Sequence, residues 1–437
     1  MNDTEELLQR ILSKVKSMNS TQNLTDKEKK ELERFDEWLR DDGPAALVIR
    51  ELLEPIEGPD GVFFPATFAA EQGNAPNRFP GGYNIDIFDD GTNICLIDSV
   101  GSQANRMEPI FALNEYAGLV PQVSIKAGEK TIRLLEAGHR AGDAIVRCSE
   151  GLKDEIENAF KELLKGNAKR LTSIAPTSIV FGVWDSRGTG AKLPRLVSST
   201  IRAFNVYRCT RHAQYNPAIR YEKEGLLDGI NATEEKLAQK GYVDQPIGKQ
   251  PDPKKSDPTH GGVQLMVNGS IRRDAILNLN TLRRLAVLGE NGSILTDETQ
   301  ALRRYILGLA LIALTATQET YLRQGCNLIL AEEGKSRKFE IVYASGMRAP
   351  IFAVQEDASQ FIKLNPKLPA SIVINHGIVK EFAFLAARSF GIDPNRDRTR
   401  NELPDREVPF SKELARKDIK GDEEEAGGAA TKAAKRK

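Results

Sequence analysis

The sequence predicts an α+β protein in which strands and helices alternate along the chain. The segment Asn93–Asp98 is rich in β-forming residues, which favours a strand. Leu152–Leu164 has amphipathic spacing and is followed by Gly166, a helix-stop residue. Tyr305–Ala316 is an apolar run well short of the roughly 20 residues that span a bilayer. We therefore expect this run to be a buried helix.

The elements before the middle of the chain follow from local patterns. Apolar residues from Ala46 to Ile56 predict the first core strand. Ser99–Tyr116 predicts a helix docked on the sheet and interrupted at Pro109, because proline cannot complete the helical hydrogen bonds. Ser178–Trp184 reads as a strand buried on both faces.

The second half continues the alternation. Val263–Val267 is predicted to be a strand, and Thr296 or Asp297 is expected to cap an apolar helix that ends near Gly325. Phe339–Tyr343 and Ile351–Val354 then complete the sheet.

Composition shifts divide the chain into three regions. Residues 1–45 predict an N-terminal helical appendage, whose second helix opens with the capping-box pair Thr25 and Glu28 and needs a docking surface on the protein or on a partner. Residues 46–392 form the body, with insertions at about 59–94 and 215–262. Residues 393–437 are a charged tail whose end we expect to be disordered.

The overall charge excludes few classes of function, because 61 Lys and Arg residues balance 61 Asp and Glu residues. Any attraction to nucleic acid must come from local clustering. The four cysteines lie far apart without zinc-ligand spacing, so we expect reduced core thiols. The first residues lack a secretory pattern, and the protein is expected to be cytoplasmic with no membrane contact.

Trp184–Arg211 is the most informative stretch of the chain, because it holds several cations and its only acid is Asp185. Its cations are Arg187, Lys192, Arg195, Arg202, Arg208 and Arg211. Glycines and hydroxyls, among them Ser198 and Ser199, suit a close approach to phosphate oxygens. The alternative is an arginine-rich solvated surface. Neutralising about six phosphates of a single strand would give a log-log salt slope of about −4.

Two further patterns predict phosphate contacts. In Gly101–Arg106, a glycine and the donors Ser102, Gln103, Asn105 and Arg106 open a helix, where free amide groups attract anions. Arg272 and Arg273 in Gly269–Asp274, and Arg140 in His139–Asp143, lie beside glycines and could extend a phosphate track. An ordinary capped helix and salt-bridged turns are the alternatives.

The aromatic residues Trp184, Phe204 and Tyr207 could stack on bases near this stretch. For Trp184, which ends a predicted buried strand, core packing is the favoured interpretation.

Catalytic patterns are weak. Gly188–Lys192 lacks the spacing of a phosphate-binding loop. Four aspartates could in principle bind a metal, but they lack the spacing of metal ligands, and we interpret each as a turn, cap or salt-bridge residue: Asp86, Asp98, Asp143 and Asp185. Each histidine is far from any other candidate ligand in the sequence. We expect no catalytic residue, no metal and no cofactor.

Several blocks together resemble one family. They are 65–68, 95–108, 139–144, 175–178 and, most specifically, 181–195, which reads Phe-Gly-Val-Trp-Asp-Ser-Arg-Gly-Thr-Gly-Ala-Lys-Leu-Pro-Arg. The sequence resembles the backbone subunit of the type I-U, also called type I-G, CRISPR Cascade effector, in the repeat-associated mysterious protein superfamily. The likeness covers roughly residues 46 to 390.

The resemblance implies an RNA-recognition-motif-like, ferredoxin-like core with large finger and thumb insertions. It implies that copies of the subunit stack along CRISPR RNA and present the guide for pairing with target DNA in antiviral defence. Other Cascade subunits, namely a large subunit and a fused repeat-processing subunit, and a recruited helicase-nuclease are the implied partners. For the hairpin that reaches a neighbouring copy, 74–91 and 215–262 both remain open.

Two other functions remain open at this stage. One is a metal-dependent or RNA-guided ribonuclease of the same superfamily, some members of which cut bound RNA with a loop aspartate. The other is a general single-stranded nucleic-acid-binding protein.

Overall fold

The computed structural model of the chain describes residues 24–73, 79, 81–209, 213–247, 261–331, 337–352, 373–399 and 401–419. The α-helices in this part are α1 (Asp26–Leu32), α2 (Asp36–Leu39), α3 (Val100–Met107), α4 (Ala144–Arg147), α5 (Leu152–Leu164), α6 (Lys169–Ile174), α7 (Pro176–Phe181), α8 (Glu234–Gln239), α9 (Leu279–Leu282), α10 (Thr296–Thr315), α11 (His376–Phe390) and α12 (412–419). Short 3-10 helices lie at Glu108–Ala112, Ala117–Leu119, Leu134–Glu136 and Arg140–Gly142.

The strands are β1 (Ala46–Pro55), β2 (Thr67–Phe68), β3 (Gly82–Tyr83), β4 (Ile85–Ile87), β5 (Asn93–Asp98), β6 (Val123–Ala127), β7 (Lys130–Arg133), β8 (Val183–Trp184), β9 (Lys192–Leu193), β10 (Val197–Arg208), β11 (Ala213–Tyr215), β12 (Gln245–Ile247), β13 (Val263–Asn278), β14 (Tyr321–Arg323), β15 (Cys326–Leu330), β16 (Arg337–Val342), β17 (Arg348–Pro350) and β18 (Arg406–Pro409).

The central sheet has the strand order β14-β15-β1-β13-β10-β5-β4, and β16 also pairs with β1. Its middle is antiparallel: β13 lies between β1 and β10, and β16 lies on the other side of β1. Helices connect β1 to β10, and α10 connects β13 to β16. These four strands and their helices have the βαββαβ order of a ferredoxin-like core. The predicted α+β, RNA-recognition-motif-like fold is confirmed.

The two faces of this sheet differ because side chains alternate along each strand. Leu47 and Ile49 on β1 and Leu277 on β13 point into the main core, where helices cover them. The opposite face remains open in the described part of the chain, where Leu52 and Ile276 are 44% and 40% exposed.

The core is built around helices α10 and α11, which pack closely on one another. Gly308 makes this approach possible, because a Cβ atom there would lie 2.9 Å from the Cα atom of Ala383. The buried Tyr305 hydroxyl donates to the Leu119 carbonyl at 2.7 Å, so its polar end is satisfied.

The N-terminal helices dock on this core. Thr25 and Glu28 form the predicted capping box at the start of α1. Phe35 is 1% exposed, and its ring meets the Phe382 ring edge-on at a centroid distance of 4.9 Å. Arg388 of α11 also pairs with Glu28 at 2.7 Å. The docking surface that the thin apolar stripe requires is therefore on the protein itself. The helix expected before α1 lies outside the described residues.

The first part of the charged tail is folded onto the body. Strand β18 pairs in parallel with β6. Arg396 forms an ion pair with the buried Asp405 at 2.6 Å and donates to the carbonyls of Gly118 and Val120. The end of the tail, residues 420–437, lies outside the described residues.

The insertion between β10 and β13 contains β11, α8 and β12, and Tyr221 and Tyr242 meet edge-on within it at 5.1 Å. Parts of both candidate hairpins, residues 74–78, 80 and 248–260, lie outside the described residues, as do residues 210–212 before the second one. None of the helices in the described ranges is long and apolar enough to cross a membrane.

Two predicted elements were wrong. Ser178–Trp184 is not a buried strand: Pro176–Phe181 is helix α7, which is followed by the short strand β8. Pro176 begins this helix, where its missing N–H costs nothing, and burial of all six residues leaves no periodic pattern to read. Helix α10 ends at Thr315 rather than near Gly325, and strand β14 lies between these two residues.

Candidate nucleic-acid interface

A cleft of about 750 Å³ lies between the β8–β9 hairpin and the segment that contains α4. Five cations line it, and the residues that line it include no acid; we call it the cationic cleft. The five are Arg140, Arg147, Arg187, Lys192 and Arg195. His139, Gly142, Trp184 and Ser186 are also among the lining residues. A cleft lined by this excess of positive charge attracts anions.

The loop that carries Arg187 is held by Asp185. This buried carboxylate accepts hydrogen bonds from the backbone N–H and the hydroxyl of Thr189, at 2.6 and 2.8 Å. Gly188 lies so close that a Cβ atom there would be 2.6 Å from Asp185 Oδ2. The one acid of the basic stretch is therefore used to fold the loop, as the predicted turn role requires, and it does not line the cleft.

Arg140 forms the floor of the cleft. It is 4% exposed and has a left-handed backbone, with φ of 54°. Its guanidinium pairs with the buried Glu108 at 2.5 Å and lies 5.4 Å from the Phe181 ring centroid. Burial raises the pKa of Glu108 to about 7, against the opposing effect of Arg140. Asn105 accepts a further bond from Arg140 at 3.4 Å. Arg140 is therefore a rigid cation beneath the surface.

Arg195 and Lys192 are exposed on the opposite wall. Burial, and then the charge of Arg140, lower the pKa of Arg195. No carboxylate pairs with either side chain among the residues that the structure describes. Cations that repel one another without a counter-charge form a site that an anion stabilises.

Trp184 is 59% exposed and lines the cleft, so the core-packing interpretation of this residue was wrong. The Lys192 ammonium lies 5.0 Å from its ring centroid. Gly142 fits beneath the Trp184 backbone, where a Cβ atom would be 2.9 Å from the carbonyl oxygen. The ring is thus presented to solvent beside the cations, an arrangement suited to stacking on a base.

Arg147 is a cleft residue that the sequence analysis missed. It is in α4, four residues beyond the His139–Asp143 block, and it donates to the Gly142 carbonyl at 2.9 Å. Asp143 caps the same helix by accepting from the Ile145 N–H. The i, i+4 spacing of Asp143 and Arg147 was the feature of the sequence that could have indicated a short helix with Arg147 at its end.

The predicted turn at Gly101–Arg106 already holds an anion of the protein, Asp98. The 1% exposed Asp98 carboxylate accepts from Ser102 and Gln103 at 2.7 Å each and from Arg106 at 3.2 Å. Arg323 adds a second ion pair at 3.2 Å. These side chains therefore form a compact internal cluster at the sheet edge, separate from the cationic cleft.

The predicted residues on β10 and β13 divide between the two sheet faces. Ser198, Arg202 and Arg272 are on the open face, where Arg272 lies 4.6 Å from the Phe204 ring centroid and pairs with Asp274 at 2.8 Å. Arg202 donates to Thr200 at 2.7 Å.

Ser199 and Arg273 are on the covered face. Ser199 donates to Gln103 at 2.8 Å, and Arg273 is paired with Glu51 in the interior. Arg273 is only 5% exposed, so it does not reach the protein surface. The expectation that Arg272 and Arg273 extend one track together is therefore wrong, because neighbours on a strand face opposite ways.

All four cysteines are reduced thiols, as predicted; three of them are buried and Cys209 is half-buried. The structure brings four of the predicted RNA-binding residues together in the cationic cleft: Arg140, Arg187, Lys192 and Arg195.

Residues 47–208 match the family model described as CRISPR-associated protein GSU0053. Over this segment the chain is similar to a CRISPR-associated protein family. The matched segment runs from β1 to the end of β10 and includes every residue that lines the cationic cleft. No curated protein matches the chain.

Proposed function

We propose that the chain is a non-catalytic backbone subunit of a CRISPR effector, of the type I-U or I-G kind, that holds CRISPR RNA in the cationic cleft. The observation that carries this proposal is the cleft itself, with five cations and no acid among its lining residues. The match to a CRISPR-associated family covers the whole cleft and supports RNA as the anion.

The mode of binding follows from the residue types. Contacts from arginine and lysine to phosphates carry no base-sequence information, and an exposed ring such as that of Trp184 stacks on any base. Such a grip leaves base edges free, so that target DNA can be read by pairing with the guide. If Arg187, Lys192 and Arg195 each neutralise one phosphate of a single strand, they contribute about −2 to the log-log salt slope.

A head-to-tail interface between copies would extend the grip along the RNA, because a heterologous contact that does not close grows a filament. The insertion that contains α8 is a candidate for that contact, since Leu226 and Ile230 are 56% and 57% exposed. The other Cascade subunits and a recruited helicase-nuclease would join this cytoplasmic ribonucleoprotein.

The non-catalytic role is supported by the tasks of the acids near the cleft. Asp185 folds the loop, Asp143 caps α4 and Glu108 pairs with Arg140. Each carboxylate is thereby engaged with the protein, whereas a general base must reach the substrate.

Purification of the subunit from cells that carry a CRISPR array tests the proposal. We expect it to retain short RNAs that share a constant fragment of the CRISPR repeat. Recovery of random RNA would favour a general single-strand binder, and recovery of none would contradict an RNA role. Cleavage of matched RNA at regular intervals after magnesium is added to the assembled complex would overturn the non-catalytic role.

A further inference from the structure

Glu108 is joined to the cationic cleft through Arg140, the cation of the cleft floor. Glu108 is 1% exposed, and its Oε2 atom accepts from Arg140 Nε at 2.5 Å. The other carboxylate oxygen, Oε1, is also buried and has no hydrogen-bond partner within the described ranges. A carboxylate that is buried with one oxygen unpaired is costly in its charged form. Uptake of a proton would remove this cost, because the neutral form carries no buried charge.

Arg140 has donors left for an anion in the cleft. Glu108 uses its Nε–H, whereas its Nη1 and Nη2 atoms lie 3.4 Å from the Gly182 carbonyl oxygen and 3.4 Å from Asn105 Oδ1. Both distances are long for hydrogen bonds, and each Nη atom carries two N–H groups. Since Arg140 also lines the cleft, its guanidinium can be shared between the Glu108 carboxylate and a phosphate.

Arg140 is the charged group that acts on Glu108. Burial raises the pKa of Glu108 to about 7, and the charge of Arg140, followed by the Thr177 hydroxyl, lowers it by less. Helix α7, which carries Thr177, and the 3-10 helix Ala117–Leu119 have no charged side chain. The charged side chains of the other two neighbouring elements are engaged elsewhere: Arg106 of α3 with Asp98, and Glu136 with the Arg133 N–H.

A phosphate in the cleft and the Glu108 carboxylate would compete for the same cation. A second negative charge near a carboxyl group favours its protonated, neutral form. A phosphate that binds at Arg140 therefore favours uptake of a proton by Glu108. The neutral carboxyl group then leaves the whole charge of Arg140 to the phosphate.

We infer that Glu108 is a positioning residue that sets the charge of the cleft floor. Ionised Glu108 neutralises Arg140, whereas protonated Glu108 leaves this cation to the bound anion, so that RNA binding is coupled to proton uptake. This inference rests on the proposed function, because the coupling needs a phosphate in the cleft. RNA binding should therefore strengthen as the pH falls from 8 to 6.

Titrations of a labelled single-stranded RNA of mixed sequence at pH 6, 7 and 8 test the coupling. The parent protein is the full-length chain with His139→Gln, because His139 lines the cleft and histidine is the residue type that ordinarily titrates in this range. We expect the parent to bind about threefold to tenfold more tightly at pH 6 than at pH 8, within the tenfold per pH unit that one linked proton allows. Glu108→Gln has the shape of the neutral form. In the same parent it should bind at pH 8 about as tightly as the parent does at pH 6, with little pH dependence.

Glu157→Gln in the same parent is the matched control. Glu157 lines a groove of about 350 Å³ that shares Arg147 and Arg187 with the cleft, and it pairs with Lys161 at 2.6 Å. The hydrogen bond from Lys161 lowers the pKa of Glu157, so this carboxylate stays ionised between pH 6 and 8. The control removes a negative charge near the cleft and should keep the pH dependence of the parent.

Proton uptake gives a second readout that needs no change at Glu108. The heat of RNA binding, measured at pH 7 in two buffers with different enthalpies of ionisation, gives the number of protons taken up. We expect the parent to take up a fraction of one proton for each cleft that is filled, and Glu108→Gln to take up close to none. Near-UV circular dichroism will establish that each variant is folded, and if Glu108→Gln does not fold, the uptake by the parent decides.

The outcomes separate this inference from the proposed function. Suppose that Arg187→Ala with Arg195→Ala weakens binding, while Glu108→Gln keeps the pH dependence of the parent or binds more weakly at every pH. The cleft then holds RNA and the coupling is wrong. Absence of proton uptake by the parent would also overturn the coupling. If the double arginine variant binds RNA like the parent, the proposed function of the cleft fails, and the coupling fails with it.

Discussion

Arg140 and Arg195 face the same cleft from its floor and its wall, and the charge of one acts on the other. Burial is the larger cause of the lowered pKa of Arg195, and the positive charge of Arg140 is the second. Arg140 is neutralised from below by Glu108, whereas Arg195 has no carboxylate partner among the described residues. A phosphate bound at Arg195 would relieve this repulsion and supply the counter-charge that Arg195 lacks.

Replacing Arg187→Ala together with Arg195→Ala should weaken RNA binding by a similar factor for all guide sequences. Because each phosphate contact on a single strand contributes about −0.7, the log-log salt slope should flatten by about 1.4. Fluorescence anisotropy titrations at several salt concentrations measure both effects. Arg284→Ala with Arg348→Ala removes two exposed arginines outside the cleft and should leave the slope unchanged. An unchanged slope in the first variant would place the RNA elsewhere.

Trp184→Ala should weaken binding of single-stranded RNA by about 1 to 3 kcal/mol, the contribution of one stacked base. The salt slope should stay constant, because no phosphate contact is lost, and Trp184→Phe should retain part of the affinity. Tryptophan fluorescence gives a direct readout, since the other tryptophan, Trp38, is only 2% exposed. Absence of quenching when RNA binds would contradict stacking on Trp184.

Glu28→Gln should lower the melting temperature at neutral pH. The Thr25 N–H, and then the side chain of Arg388, lower the pKa of Glu28 to about 2. A carboxyl group with a lowered pKa in the folded state stabilises that state above its ordinary pKa, and this contribution is lost as the pH falls towards 2.

Thermal unfolding at neutral and acidic pH measures this difference. The gap between wild type and Glu28→Gln should narrow as the pH falls below about 4.5. Glu33→Gln, at an exposed position just after the same helix, is the control and should show no gap. A gap of constant size would mean that ionisation of Glu28 is not its source.

Phe35→Ala should reduce the free energy of unfolding by about 3 to 5 kcal/mol, because it leaves a cavity between α2 and α11. Phe88→Ala, at a position 48% exposed, should change it by less than about 0.5 kcal/mol. Urea unfolding measures both. If Phe35→Ala changed the free energy of unfolding as little as the control does, the N-terminal helices would be an appendage that contributes little to the core.

The local sequence predicted those elements whose residue pattern depends on where each element lies in the fold. The broken helix from Ser99 is present, because Met107 ends α3 and a 3-10 turn follows at Pro109. Helix α7 was missed because burial on all sides removes the periodicity that distinguishes a helix from a buried strand. The capping box at Thr25 was readable because both partners lie within four residues.

The site was predictable only in part, for a related reason. Arg187, Lys192 and Arg195 are near one another in sequence, so their cluster was visible. The burial of Arg273 was hidden, because its partner Glu51 is more than two hundred residues away and is brought to it only by the sheet. Which of two adjacent residues on β13 faces solvent also depends on strand pairing more than two hundred residues apart.

The pairing of β1 has a consequence for synthesis on the ribosome. Within the described part of the chain, β1 pairs with β13, β15 and β16, all of which come after residue 262. At about 5–20 residues per second, β1 therefore waits roughly 10–45 seconds before its neighbour in the sheet has been made. During that time its apolar side chains and unpaired backbone are exposed to other nascent chains, and a chaperone that binds extended apolar segments would have its main target here.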